Sequence, residues 1–227
     1  MVVVGFGSYP SAPTVLAAQH LGIKTVIHEQ NAVLGRANRL LAPRATRVAT
    51  AFASVRALRA ADRDKSVWTG NPVRPEVIVA RDKPYVPLEA EGDVELLIIG
   101  GSQGAQVFSK IAPAAFASLT PAQRACFRLA QQCRAEDIED VRAIYASLNM
   151  PVELETFFDD MPARLAAAHL VAGRSGASTV AELTTAGRPA LYVPYPHAID
   201  DHQMANARAI EAAGAGWVMA QNEFTPA

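Results

Sequence analysis

Cysteine is scarce in this 227-residue sequence, with Cys126 and Cys133 the only two. Their spacing matches neither a metal site nor a redox pair, and two thiols make no disulfide framework. Both are expected to be small buried apolar residues of a chain kept in a reducing compartment. Charge of one sign is also missing. Lys and Arg number 21 against 22 Asp and Glu, a net charge of −1, and no basic run stands out. Nucleic acid is therefore not an expected partner, because displacing its counterions needs a one-sided basic excess. No apolar run approaches the ~20 residues that span a bilayer, and the N-terminus lacks the basic and apolar regions of a secretory signal. The chain is expected to be soluble or to sit on a membrane surface. No internal repeat, low-complexity tract or metal-ligand cluster is visible.

Short apolar runs alternate with helical stretches. Strands are expected at 2–4, 25–28, 47–50, 95–99, 127–130, 152–155, 170–172, 190–193 and 217–219. Helices are expected at 13–21, 35–41, 106–117, 135–148, 162–168, 178–186 and 202–213. Continuous Val/Ile/Leu runs joined by helices predict parallel strands covered on both faces, in an open, doubly wound α/β sheet. The alternation breaks near Thr69–Gly92, where Gly70-Asn-Pro-Val-Arg-Pro75 and Lys83-Pro-Tyr-Val-Pro87 carry a proline density that helix and central strand both refuse. A domain boundary is expected there. Only about three strands precede it, and strand patterns lie close to both ends, so the sequence is expected to be a portion of a longer protein.

Polar residues gather where strands end, and open α/β sheets bind ligands there. Gly5-Phe-Gly-Ser-Tyr-Pro10 joins a strand to a helix. It either seats an anion on free N–H groups or is only a tight turn. As a dinucleotide fingerprint it fails, because Pro10 replaces the third glycine; Glu29 keeps only a residual dehydrogenase reading open. His28-Glu-Gln-Asn31 is either a ligand-facing set or a solvated loop and cap. Gly100-Gly-Ser-Gln-Gly-Ala105 lacks the lysine of a P-loop but lets a pyrophosphate approach the backbone. In Phe157-Phe-Asp-Asp-Met161, Asp160 is an expected N-cap, and Phe158 offers a flat wall or a backbone amide to a base. Gly173-Arg-Ser-Gly-Ala-Ser-Thr-Val-Ala-Glu182 is the densest set. Thr179 and Glu182 match a capping box, while a carboxylate at that place could equally hold a ribose diol. Gln203 and Asn206, three apart, share a helix face and suit sugar hydroxyls. Asp201 reads as an N-cap or as a sugar ligand.

Seven marks, in order along nearly the whole chain, resemble the peptidoglycan N-acetylglucosaminyltransferases that convert lipid I to lipid II with UDP-N-acetylglucosamine. They are Gly5-Phe-Gly-Ser-Tyr9, His28-Glu-Gln-Asn31, Gly70-Asn-Pro-Val-Arg74, Gly100-Gly-Ser-Gln-Gly-Ala105, Phe158-Asp-Asp-Met161, Arg174-Ser-Gly-Ala177 with Glu182, and Asp201-His-Gln203 with Asn206. The resemblance implies a GT-B fold of two Rossmann-like domains, the first incomplete. Residues 1–74 would be the remainder of the acceptor domain and the hinge, and residues 75–227 the UDP-sugar domain.

By the same resemblance, Asn31, Arg74, Ser102, Phe158, Ala177, Ser178, Thr179, Glu182, Gln203 and Asn206 bind the donor, with His202 sharing the role of Gln203. Gly7, Ser8, Tyr9 and His28 face the lipid-linked acceptor. The family's first glycine loop, ending in its proposed catalytic histidine, and its C-terminal helices have no counterpart here. No base is assigned, and His28 is the nearest substitute. The chain as it stands is thus expected to bind donor without turnover. No cofactor or metal is implied, and the place of work is the cytoplasmic face of the bacterial inner membrane, held peripherally. Rival readings are a UDP-N-acetylglucosamine epimerase or another GT-B enzyme, and a non-catalytic UDP-sugar binding module.

Overall fold

The computed structural model describes residues 1–89, 92–101 and 105–226. They form two parallel sheets. The first contains β1 (Val2–Gly5), β2 (Lys24–Glu29), β3 (Arg47–Thr50) and β4 (Ser66–Trp68), in that spatial order. Its helices are α1 (Ser8–His20) and α2 (Arg36–Leu41). Val15, Ile27, Leu34, Leu41 and Val48 make the core between them. Each such side chain contributes roughly 1.5–3 kcal/mol on burial. The opposite face stays open: Val2, Val4, Val67 and, just after β1, Phe6 are all about half exposed.

The second sheet has the order β10-β9-β8-β5-β6-β7, every pair parallel. Its strands are β5 (Val94–Ile99), β6 (Phe127–Gln132), β7 (Val152–Glu155), β8 (Leu170–Gly173), β9 (Ala190–Tyr192) and β10 (Gly216–Val218). Between them run α4 (Gln106–Ser118), α5 (Pro121–Ala125), α6 (Ile138–Ser147), α7 (Met161–Ala167), α8 (Ala177–Ala186) and α9 (His202–Ala212). Alternate residues of one strand feed opposite cores, as the two-residue pleat requires. Leu97 and Ile99 join Val171, Leu165, Leu183 and Tyr192 on one face. Ile98 joins Phe108, Leu129, Tyr145 and Ala172 on the other.

The structure differs from the sequence expectation at several points. The first sheet has four strands, not three. In the proline-rich segment, α3 (Pro75–Arg81) packs on α7 and α8; Pro75 takes the first helical position, where its missing N–H costs nothing. Likewise α1 begins at Ser8 rather than Pro13 and carries Pro13 inside. Pro10 lies in the first turn, whose N–H groups have no intrahelical acceptor. Cys133 is buried as expected, but Cys126 is exposed, at the end of the short α5.

Candidate functional site

Strand order reverses between β5 and β8, so the loops leaving these two strands diverge and open a crevice at their carboxyl ends. The strands lie close: a Cβ on Gly173 would sit 2.8 Å from Ile99 Cγ1 and 3.1 Å from Ile99 O. Gly101, in the loop after β5, has φ +81°, a left-handed conformation that a side chain disfavours. Ser102, expected at a phosphate, lies outside the described residues.

The loop after β8 opens α8. Gly176 is the N-cap and no side chain caps the first turn. The amides of Ala177, Ser178 and Thr179 are therefore open at the positive end of a helix dipole. The expected capping box is not formed, because the helix starts two residues before Thr179. The Glu182 carboxylate instead accepts from two nitrogens of Arg74, Nε to Oε1 at 2.8 Å and Nη2 to Oε2 at 3.0 Å. Glu182 in turn holds the Arg74 guanidinium above its usual pKa.

Two adjacent cavities meet at this helix end. The larger, about 940 Å3, is lined among others by Asn31, Lys110, Arg174, Ser178, His202 and Gln203. The smaller, about 210 Å3, is lined by Arg74, Phe157, Phe158, Glu182 and their neighbours. Gly101 and Thr179 line both, so one extended ligand could run from one into the other. The larger is polar and positively charged, and the smaller has aromatic walls.

Asn31 reaches the large cavity because a buried acid shapes its turn. Glu29 accepts from Asn31 N at 3.0 Å, Asn31 Nδ2 at 3.3 Å, Gly35 N at 2.8 Å and Asn38 Nδ2 at 2.9 Å. This is a structural task, not a ribose contact. Gln203 lines the cavity with its Oε1 on Tyr195 N at 2.9 Å. His202 Nδ1 lies 2.7 Å from Ile199 O. A carbonyl only accepts, so Nδ1 carries the proton of the neutral ring and Nε2 remains an acceptor.

Other expected residues lie elsewhere. Asn206 is fully buried, and its amide is committed to protein. Oδ1 accepts from Ala32 N at 2.7 Å, and Nδ2 donates to Asn31 Oδ1 at 3.0 Å and Ser175 O at 3.1 Å. It pins the two sheets' loops together and does not line the cavity. The Phe158 ring belongs to the core, with the Arg164 guanidinium carbon 4.2 Å from its centroid; the exposed wall is Phe157, 65% accessible. Asp160 and Asp201 occupy N-cap positions, but neither makes a side-chain capping bond. Gly7, Ser8 and Tyr9 open α1 away from the cavity. His28 is buried beneath Phe6, its Nε2 3.0 Å from Gly70 O and its Nδ1 without a partner. It lines a separate depression with Val4, Val26 and Ala49.

Sequence reasoning did not single out Arg174 as a site residue. Its guanidinium is buried against Phe108 and Tyr195 and donates to Val193 O, Pro194 O and Gln221 Oε1. No carboxylate among the described residues pairs with it, and burial lowers its pKa. A buried cation in that state favours an incoming anion. The signal lay in the glycine-flanked Arg174-Ser-Gly176, where an arginine enters an otherwise small-residue loop.

Two parallel α/β sheets joined across a cleft, with a bare helix terminus at the switch point, define the architecture of GT-B glycosyltransferases. Residues 95–227 match the glycosyltransferase family 28 C-terminal domain and residues 1–50 the N-terminal domain of that family. The chain belongs to glycosyltransferase family 28. It is 55% identical over 223 residues to the UDP-N-acetylglucosamine--N-acetylmuramyl-(pentapeptide) pyrophosphoryl-undecaprenol N-acetylglucosamine transferase of Paramagnetospirillum magneticum, covering 98% of this chain and 60% of that protein. The protein of the same description from Rhodospirillum rubrum is 55% identical, with 99% and 57% covered. The chain thus spans about 60% of these relatives' length. The crystal structure of Acinetobacter baumannii MurG superposes with a TM-score of 0.80 at 35% identity, covering 99% of this chain and 62% of that one. A Neisseria meningitidis UDP-GlcNAc 2-epimerase, 14% identical with a TM-score of 0.62, shares the fold alone.

Proposed function

We propose that the chain holds UDP-N-acetylglucosamine in the two adjacent cavities and is the donor-binding part of a transferase. That transferase passes N-acetylglucosamine to the 4-hydroxyl of undecaprenyl-diphospho-N-acetylmuramoyl-pentapeptide at the cytoplasmic face of the membrane. The observation that carries the reading is the uncapped N-terminus of α8, set between an aromatic recess and an amide-rich wall. The diphosphate belongs at the amides of Ala177–Thr179 with Arg174 beside it, and its charge is met by the helix dipole and a buried cation. Uracil belongs in the recess against Phe157 and the Phe158 backbone, and the ribose diol at Glu182. N-acetylglucosamine then points toward Asn31, His202 and Gln203. Residues 1–74 and 75–227 are the two domains of this reading.

The chemistry is an inverting displacement at the anomeric carbon. The acceptor oxygen gives up its proton to a base as it attacks, and UDP leaves with its negative charge held by α8 and Arg174. The acceptor end falls to Gly7–Tyr9 at the α1 terminus and to His28. No helix among the described residues is long and apolar enough to cross a membrane, and a surface-bound enzyme is consistent with that.

Titration calorimetry tests the donor site. Saturable binding of UDP-N-acetylglucosamine by this chain, tighter than that of UDP-glucose, is the expected result. No binding at millimolar ligand would overturn the reading.

A further inference from the structure

The segment that carries His202 and Gln203 belongs covalently to the second sheet, yet it is fastened to the first. Asp200 and Asp201, just before α9, both adopt left-handed backbone angles, with φ 54° and 55°. Such a conformation in a non-glycine residue persists only where its surroundings hold it. The Asp200 carboxylate meets two arginines of α2: Oδ2 lies 2.9 Å from Arg39 Nη2 and 3.8 Å from Arg36 Nε. The Arg39 guanidinium is itself aimed by a bond from Nε to Leu34 O at 2.7 Å. The Asp200 carbonyl accepts from Arg56 Nη2 at 3.5 Å. One turn further along, Asn206 pins α9 to Asn31 and Ala32. His202 and Gln203 sit between these two fastenings, both of which reach into residues 31–56.

The aromatic recess is different, since the residues lining it all lie between Arg74 and Leu183. Loosening the fastening would leave the recess intact and shift only the His202–Gln203 wall.

We propose that Asp200 is a positioning residue: its ion pair with Arg39 sets the wall that meets the sugar, so the pair governs affinity for the nucleotide sugar but not for the nucleoside diphosphate. The proposal rests on the donor reading above. Asp200 touches no ligand; it acts through His202 and Gln203.

Calorimetry on the 227-residue chain with UDP and with UDP-N-acetylglucosamine tests this. Asp200→Gly removes the carboxylate while keeping the left-handed backbone free of steric cost, and Arg39→Ala removes the other partner. Each is expected to weaken UDP-N-acetylglucosamine binding about tenfold, a usual size for coupling between distant groups, and to leave UDP binding unchanged. The double variant is expected to be no worse than either single one, as for two groups acting through one contact. The exchange Asp200→Arg with Arg39→Asp should recover part of the loss. Unchanged sugar-nucleotide affinity in both single variants would overturn the proposal, and so would a parallel loss of UDP affinity. A wild-type chain that binds UDP but gains nothing from the sugar would overturn it as well. A wild-type chain that binds neither ligand would fail the donor reading itself, before any variant is compared.

Discussion

Arg74 and Glu182 face each other as a two-pronged ion pair, 2.8 and 3.0 Å apart, at the mouth of the aromatic recess. Both were expected at the nucleotide, and here each is the other's partner. A ribose diol donating to Glu182 would share or displace the arginine, and a carboxylate has lone pairs for both. Arg74 would then be left close to the phosphates, where its charge is still useful.

Glu182→Ala should therefore weaken UDP binding by ~1–3 kcal/mol, the cost of losing a charged acceptor and stranding its partners. Calorimetry of the variant against wild type reads this directly. Equal affinities would reduce Glu182 to a tether for Arg74.

Removal of the buried Asn206 amide should act on stability rather than on ligand contact. Asn206→Ala strands Ala32 N, Asn31 Oδ1 and Ser175 O. Chemical denaturation should show a loss of about 1–3 kcal/mol per polar group left unsatisfied. A variant as stable as wild type would mean that water replaces the amide without cost.

Acid should expose a separate dependence in the first half. Asp62 is buried in a 3-10 turn, with Arg59 Nε at 2.6 Å and Lys65 Nζ at 2.9 Å. The Arg59 hydrogen bond, more than any other contact, lowers its carboxyl pKa from 3.8 to about 2. A carboxyl depressed on folding contributes stability above its unfolded pKa and loses it as pH falls through the folded value. Asp62→Asn should consequently be less stable than wild type at neutral pH, and the gap should close between about pH 4 and pH 2. Thermal melts across that range check the sign; a gap that does not change with pH would remove Asp62 as its source.

Strands with continuous apolar runs were legible because their residues feed two cores at once. Leu97, Ile98 and Ile99 are each buried, on alternate faces. β4 was not legible, since Val67 and Trp68 are exposed and carry no burial pattern. The helix at Pro75 was hidden by counting prolines instead of placing them, because one proline at a helix start is neutral. Within the site, the glycine loops and the start of α8 could be read from residue type and spacing. The task of Asn206 could not: its partners Asn31 and Ala32 lie 175 and 174 positions away. An amide that binds a sugar and one that clasps another loop look identical in sequence. Glu182 shows the same ambiguity, since a capping-box spacing says nothing about an arginine 108 residues upstream.

The open face of the first sheet bears on how the molecule behaves in bulk. Val2, Val4 and Phe6 present apolar surface beside the outer edge of β1, whose peptide groups have no neighbouring strand among the described residues. A formal charge of only −1 supplies almost no mutual repulsion between molecules. Concentrated solutions of this chain should therefore be colloidally fragile, with a second virial coefficient at or below zero even at low salt. A glutamate at the exposed position of Val2 would guard the edge, move the net charge further from zero and restore dispersion without touching the cleft.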